Sequence, residues 1–175
     1  MKIRTLADIE ALERTPVGER IQQENVLELL QEAGRKYGRA TAIRYLAGTG
    51  PDAEVQDVSF LRLLRRTIQT ANLLRSQGIG HDDVVTLLMP SVPATFYALW
   101  GAQIVAVANP VNYFLEASQI AGIMKEAGAT ALIAADPSIY PDIWPKVEAI
   151  RAALPDLKGF RVGGGGNVPG VIDFD

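Results

Sequence analysis

Three short apolar runs, VVTLLM at 84–89, IVAVANP at 104–110 and TALIAA at 130–135, are separated by stretches of helical character, and this alternation limits the possible folds more than any other feature. The first reads as a strand covered on both faces, the second as a short strand ended by its proline, and the third as another buried strand. Between the first two lies SVPATFYALWGAQ. Pro93 suits the first turn of a helix, where its missing N–H is no loss, and apolar groups on every side of the turns to Gln103 predict a buried helix. A membrane span needs about 20 apolar residues, and here Pro90, Gln103, Asn109 and Pro110 leave only about 15. Between the second and third runs, Glu116 to Ala127 is predicted helical, with Ile120, Ile123, Met124 and Ala127 inward and Gly128 as the stop. Strand, helix, strand, helix, strand with short links demands parallel pairing through right-handed crossovers.

The flanks extend this pattern. Apolar residues at three- and four-residue intervals predict helices over Leu6–Arg14 and Asn25–Tyr37, the second capped by Asn25. ATAIRYL and EVQDVS around AGTGPD predict a hairpin from about Thr41 to Val58. Ser59 then opens a helix with a predicted inner stripe of Leu61, Leu64, Ile68, Ala71 and Leu74, closed by Gly78 at the position after the cap. A last helix is predicted over Tyr140–Ala153, and GFRV and GVIDF read as short strands around GGGGNVPG. The fold class is therefore α/β: part of a doubly wound sheet with a parallel βαβαβ core, plus N-terminal helices and a hairpin. Residues 1–24 form a helical extension and residues 25–175 one larger unit in this reading.

Charge and composition narrow the function. Seventeen Lys plus Arg against 20 Asp plus Glu give a formal charge of −3 with the basic groups dispersed, which argues against nucleic acid. With no cysteine and one histidine, thiolate chemistry is unavailable and His-based chemistry rests on His81 alone. Acidic Asp8 and Glu10 stand where a signal peptide would be apolar, so a cytoplasmic location is expected.

In an open parallel sheet, ligands settle at the carboxyl ends of the strands, here near Pro90 and Ser91, near Asn109 to Asn112 and near Asp136. Ser91 lacks a Gly-x-Ser-x-Gly setting and a nearby histidine, and reads as a helix cap. Asp136, followed by Pro137 and Ser138, reads as a turn or cap residue. The glycines at 163–166 invite a phosphate-loop reading, and Gly165 and Gly170 have the Walker spacing; Val171 and Ile172, however, stand where Lys and Ser or Thr are required, so a surface hairpin is expected. Arg62, Arg65 and Arg66 could attract an acidic ligand or form a solvated face opposite the apolar stripe. His81 lies in GIGHDD, a surface turn at the far end of its strand from the crevice. Phe96, Tyr97 and Trp100 fit either an acyl pocket or plain core packing, with Phe96 and Trp100 stacked four apart.

Taken in order from Val58 to Asp136, the Ser-led amphipathic helix, LRSQGIG before an acidic turn, VVTLLMPSVP, ANPVN and IMKEAGATALIA resemble the AMP-forming acyl-CoA synthetase family, the adenylate-forming ligases. YPDIWPKVEAIRAALPDL is similar to the next helix of its general acyl-CoA branch. The resemblance covers about residue 25 to the end. It implies attack of a carboxylic or fatty acid on the α-phosphate of ATP, then displacement of AMP by CoA, with Mg²⁺ and cationic groups holding the charge. The family's phosphate loop, its adenine- and ribose-binding motifs and its C-terminal lysine would all lie beyond Asp175. Lys2, Lys36, Lys125, Lys146 and Lys158 sit in none of those contexts. No catalytic, cofactor-binding or metal residue is assigned, and no cofactor is expected on these residues alone. Two departures, His81 in place of Pro and Glu116–Ala117 without a Ser or Thr cap, concern the surface. The expectation is an N-terminal portion of such a synthetase, inactive in adenylation by itself. The rivals are a nucleotide- or CoA-binding module using Asn109 and Asn112, and an interaction module that self-associates through a sheet edge or an apolar helix face.

Overall fold

The computed structural model describes residues 3–48, 50–164 and 171–174. At the N-terminus, Thr5 caps α1 (Leu6–Glu13): its hydroxyl accepts from the Asp8 N–H at 3.3 Å, while the Asp8 carboxylate accepts from the Thr5 N–H at 2.9 Å. A single turn, α2 (Val17–Arg20), follows Pro16 and was not anticipated from the sequence. Neither helix buries a residue. Asn25 caps α3 (Val26–Tyr37) through the Glu28 N–H at 3.0 Å, as expected. The hairpin pairs β1 (Thr41–Ala47) with β2 (Glu54–Ser59) antiparallel, clamped by two hydrogen bonds from Arg44 to Asp57 at 2.8 and 2.7 Å.

Ser59 opens α4 (Phe60–Ser76) by accepting from the Arg62 N–H at 3.2 Å, and Gly78 ends it at φ +74°. The helix is turned from the predicted stripe. Leu63, Thr67, Thr70, Ala71 and Leu74 are buried, whereas Leu61 is 46% exposed. The cause lies in the facing helix, α5 (Pro93–Val105). A Cβ on Gly101 would fall 2.4 Å from the Thr70 methyl and 3.2 Å from the Thr67 carbonyl oxygen, so the two helices touch where one has no side chain. Thr70 tolerates burial because its hydroxyl donates to the Arg66 carbonyl at 3.0 Å.

The remaining strands are β3 (Val84–Leu88), β4 (Val107–Pro110), β5 (Ala129–Ala135), β6 (Lys158–Val162) and β7 (Val171–Asp173). They form a sheet in the order β4-β3-β5-β6-β7, every pair parallel. The expected βαβαβ core is present, with Val85, Leu88, Ile133 and Phe160 at 0–1% exposure. Ile104 and Val105, read from sequence as the start of a strand, complete α5 instead, because Val105 packs into the core on the helix's last turn. In α6 (Ala117–Glu126), Ile120 and Met124 are buried, but Ile123 is 41% exposed and Ala127 lies on the surface. The buried face is narrower than predicted, with Ala117 and Ala121 packed beside the Ile120–Met124 pair. The missing Ser or Thr cap is offset by Gln119, whose side chain accepts from the Glu116 N–H at 3.1 Å. The last helix, α7 (Trp144–Ala153), starts later than predicted, with residues 141–143 in a turn. The expected hairpin around the glycine run is overturned: β6 and β7 pair parallel, Phe160 opposite Ile172. Each thereby adds to the same sheet rather than folding back on its neighbour.

Candidate functional site at the carboxyl edge of the sheet

The strand order fixes where a crevice can open. From β3 the chain moves outward to β4, then returns across β3 to β5 and continues the other way. The loops leaving β3 and β5 therefore diverge, and the gap between them is the switch point at which doubly wound sheets hold ligands. A cavity of about 360 Å³ lies there. Its floor combines Val92, Pro93 and Ala94, after β3, with Ser138 and Ile139, after β5. Arg62 and Arg66 from α4 and Tyr97 from α5 supply the polar wall. Tyr97 is 7% exposed; burial pushes its phenol upward, and the two nearby guanidinium groups pull partly against that shift.

Ser91 is exposed and does not cap α5. Pro93 at the first helical position sets Val92 as the extended cap residue, φ −114° and ψ 163°, so the cap predicted at Ser91 falls one residue too early. The Thr95 hydroxyl instead donates to the Pro90 carbonyl. Asp136 does form the predicted turn, its carboxylate accepting from the Ser138 N–H at 2.9 Å. It does more than that. The same side chain lies 3.6 Å from Arg161 in an ion pair with both members about one-tenth exposed, and Trp144 stacks on the guanidinium at 6.0 Å. Arg161 was passed over in the sequence, although a lone charge inside the apolar strand GFRV is the signal that betrays such a pair.

The glycine run begins by wrapping this pair. Gly163 and Gly164 have φ of +79° and +74°, and a Cβ on Gly164 would fall 2.4 Å from the Asp136 carboxyl carbon. An anion already fills the space these glycines enclose: the protein's own carboxylate. The residues of Walker spacing, Gly165 and Gly170, and Gly166 lie outside the described residues.

Within β4, Asn109 donates to the Thr86 hydroxyl of β3 at 3.2 Å, and in the loop that follows Asn112 accepts from the Phe114 N–H at 3.0 Å, so one amide links two strands and the other shapes the loop. Lys146 secures the same loop, donating to the Tyr113 and Leu115 carbonyls at 2.8 and 2.9 Å. Phe96 and Trp100 meet with centroids 5.7 Å apart, half-buried beside Leu30, Val58 and Leu63. His81 is exposed beside Asp82 at the opposite edge, as expected. Among the described residues no group of three or more His, Cys, Asp or Glu could hold a metal ion. Among the described residues no carboxylate lines the crevice, and Asp136, in the turn after β5, is engaged by Arg161 and the Ser138 N–H, so these residues do not fit a Mg²⁺ site. No helix among them is long and apolar enough to cross a membrane.

Comparison with known proteins agrees with this architecture. The chain is 37% identical over 149 residues to a marinolic acid–CoA ligase of Pseudoalteromonas sp. (strain SANK 73390), covering 85% of this chain and 23% of that one. It is 33% identical over 100 residues to an acetyl-coenzyme A synthetase of Methylobacterium radiotolerans, covering 57% and 15%. Among solved structures, an anthranilate CoA ligase in complex with anthranoyl-AMP superposes with a TM-score of 0.73 at 21% identity, over 91% of this chain and 29% of that one. The acetoacetyl-CoA synthetase from Streptomyces lividans gives 0.73 at 19% identity, over 86% and 24%. The chain thus spans less than a quarter of the length of the curated relatives. Residues 30–161, which contain every strand from β1 to β5 and most of β6, match the AMP-binding enzyme family, and the chain belongs to it.

Proposed function

We propose that this chain supplies the first portion of an AMP-forming acyl-CoA synthetase, which joins a carboxylic acid to CoA at the expense of ATP in the cytoplasm. Residues 25–175 would begin the large domain and residues 1–24 would be an extension of it. The observation that carries the reading is the family match on a parallel sheet whose switch-point cavity is walled by Arg62 and Arg66. In the first step a carboxylate oxygen attacks the α-phosphate of ATP and pyrophosphate leaves; in the second the CoA sulfur attacks the acyl carbon and AMP leaves. Both reactants of the first step are anions, so their approach requires several preorganised donors and cations. The described residues offer this crevice two arginines, and no lysine or carboxylate cluster. The role of this portion is therefore structural: β3 and β5 set the floor, Asn109 links β4 to β3, Lys146 holds the loop after β4, and Asp136–Arg161 holds the turn after β5.

The test is pyrophosphate release from ATP by the purified 175-residue chain with a panel of carboxylic acids. No turnover is expected. Turnover would show that these residues carry the anion-handling groups themselves and would reject the assignment of roles.

A further inference from the structure

On the outer side of α4, a second cavity of about 510 Å³ is lined by Arg39, Arg62, Arg65 and Arg66, with Ser59 and Gln69. Three of the arginines come from the first two turns of α4 and the fourth from the turn between α3 and β1. Among the described residues no acidic side chain lines the cavity, and none of these four arginines takes part in an ion pair. This concentration of positive charge occurs in a chain with a net charge of −3. It also sits at the wrong end of its helix. The N-terminus of a helix carries partial positive charge and favours acidic side chains, yet the first turn of α4 has none and the first two turns have three arginines. Local helix stability does not account for that placement.

We propose that this cavity binds a small polyphosphate anion, either an inorganic chain or the phosphate chain of a nucleotide. Each guanidinium offers a planar fork of donors matched to two phosphate oxygens, and several forks around one concavity suit linked phosphates better than a single carboxylate. The Gln69 amide and Ser59 hydroxyl add neutral donors at the rim. This site adjoins the switch-point cavity and shares Arg62 and Arg66 with it, whereas Arg39 and Arg65 line only the outer one. It does not depend on the ligase reading.

The test is calorimetric titration of the full 175-residue chain with tripolyphosphate, ATP and adenosine at low ionic strength. Tripolyphosphate and ATP are expected to bind with dissociation constants below a millimolar and to weaken as salt is raised, and adenosine is expected not to bind. Equal affinity for the two anions identifies the phosphate chain as sufficient; markedly tighter ATP identifies a nucleotide. The double variant Arg39→Gln/Arg65→Gln is expected to weaken binding at least about tenfold, while Arg35→Gln, on the exposed face of α3, leaves it unchanged. A dissociation constant above a millimolar for both anions, or an equal loss in Arg35→Gln, overturns the proposal. A second readout uses the unaltered protein: phenylglyoxal modification of Arg39 and Arg65, followed by mass spectrometry, should slow when tripolyphosphate is present. Unprotected arginines would count against the site even if the double variant failed to fold.

Discussion

The contact between α4 and α5 makes a sharp prediction, because two glycines in helix interiors should answer the same substitution with opposite signs. At Gly101 a new Cβ would lie 2.4 and 2.5 Å from the side chain of Thr70 and 3.2 Å from the Thr67 carbonyl oxygen. Thr70 is β-branched and its hydroxyl is held by the Arg66 carbonyl, so it cannot swing aside without losing that bond. Forcing a methyl into such a space costs about 1–3 kcal/mol. Replacing glycine by alanine within a helix returns up to about 1 kcal/mol. Gly101→Ala should therefore lose about 1–2 kcal/mol, a fall in Tm of roughly 2–8 °C for a chain of this size. At Gly122, in α6, nothing lies within 4 Å of the added Cβ. Gly122→Ala should gain about 0.5–1 kcal/mol. Urea denaturation followed by far-UV circular dichroism measures both. If the two variants shift the midpoint in the same direction, the close approach of α4 and α5 at Gly101 is wrong.

Two further outcomes follow from polar groups. Asp136→Asn keeps an acceptor for the Ser138 N–H but removes one charge facing buried Arg161, and should cost about 1–3 kcal/mol; a single-variant effect within about 0.5 kcal/mol would refute a contribution from the buried pair. Asp83 accepts from the Gly80 N–H at 2.7 Å, and that bond, helped by the Thr130 hydroxyl, holds its carboxyl below the ordinary aspartate value of 3.8. The unfolded chain then binds the proton more readily, so the contribution is complete above that ordinary value and disappears as pH falls through the native one. The Tm gap between the unaltered chain and Asp83→Asn should be largest near neutrality and close in strong acid; a gap constant across the titration would sink the argument.

How far the sequence could be read depended on the range of the forces involved. Caps are local, so Asn25 and Ser59 stood out at once, as did the stop at Gly78. The inner strands were legible because an unbroken run such as VVTLLM can be satisfied only between two layers. Which face of α4 turns inward was not, since Thr67 and Thr70 are chosen by the absence of a side chain at Gly101, some thirty residues later. Ile123 looked like core for the same reason in reverse: periodicity marks a face, but the neighbouring surface decides how wide that face is. At the site, the carboxyl edge was foreseen from the strand alternation, whereas the Asp136–Arg161 pair needed β6 laid beside β5, and the place of Arg62 and Arg66 at the crevice needed α4 packed against α5.

That order has a further cost, in time rather than in stability. Val84 pairs with Ala129, so the middle of the sheet closes only after α5, β4 and α6 have been gathered in between. Loop-closure entropy rises only slowly with length, but it must be met before distant strand contacts give any return, and non-local topologies accordingly fold orders of magnitude more slowly than local ones. Until β5 arrives, β3 has a partner on its β4 side alone. During synthesis, one edge of β3 therefore stays open to other chains from the emergence of Leu88 to that of Ala135.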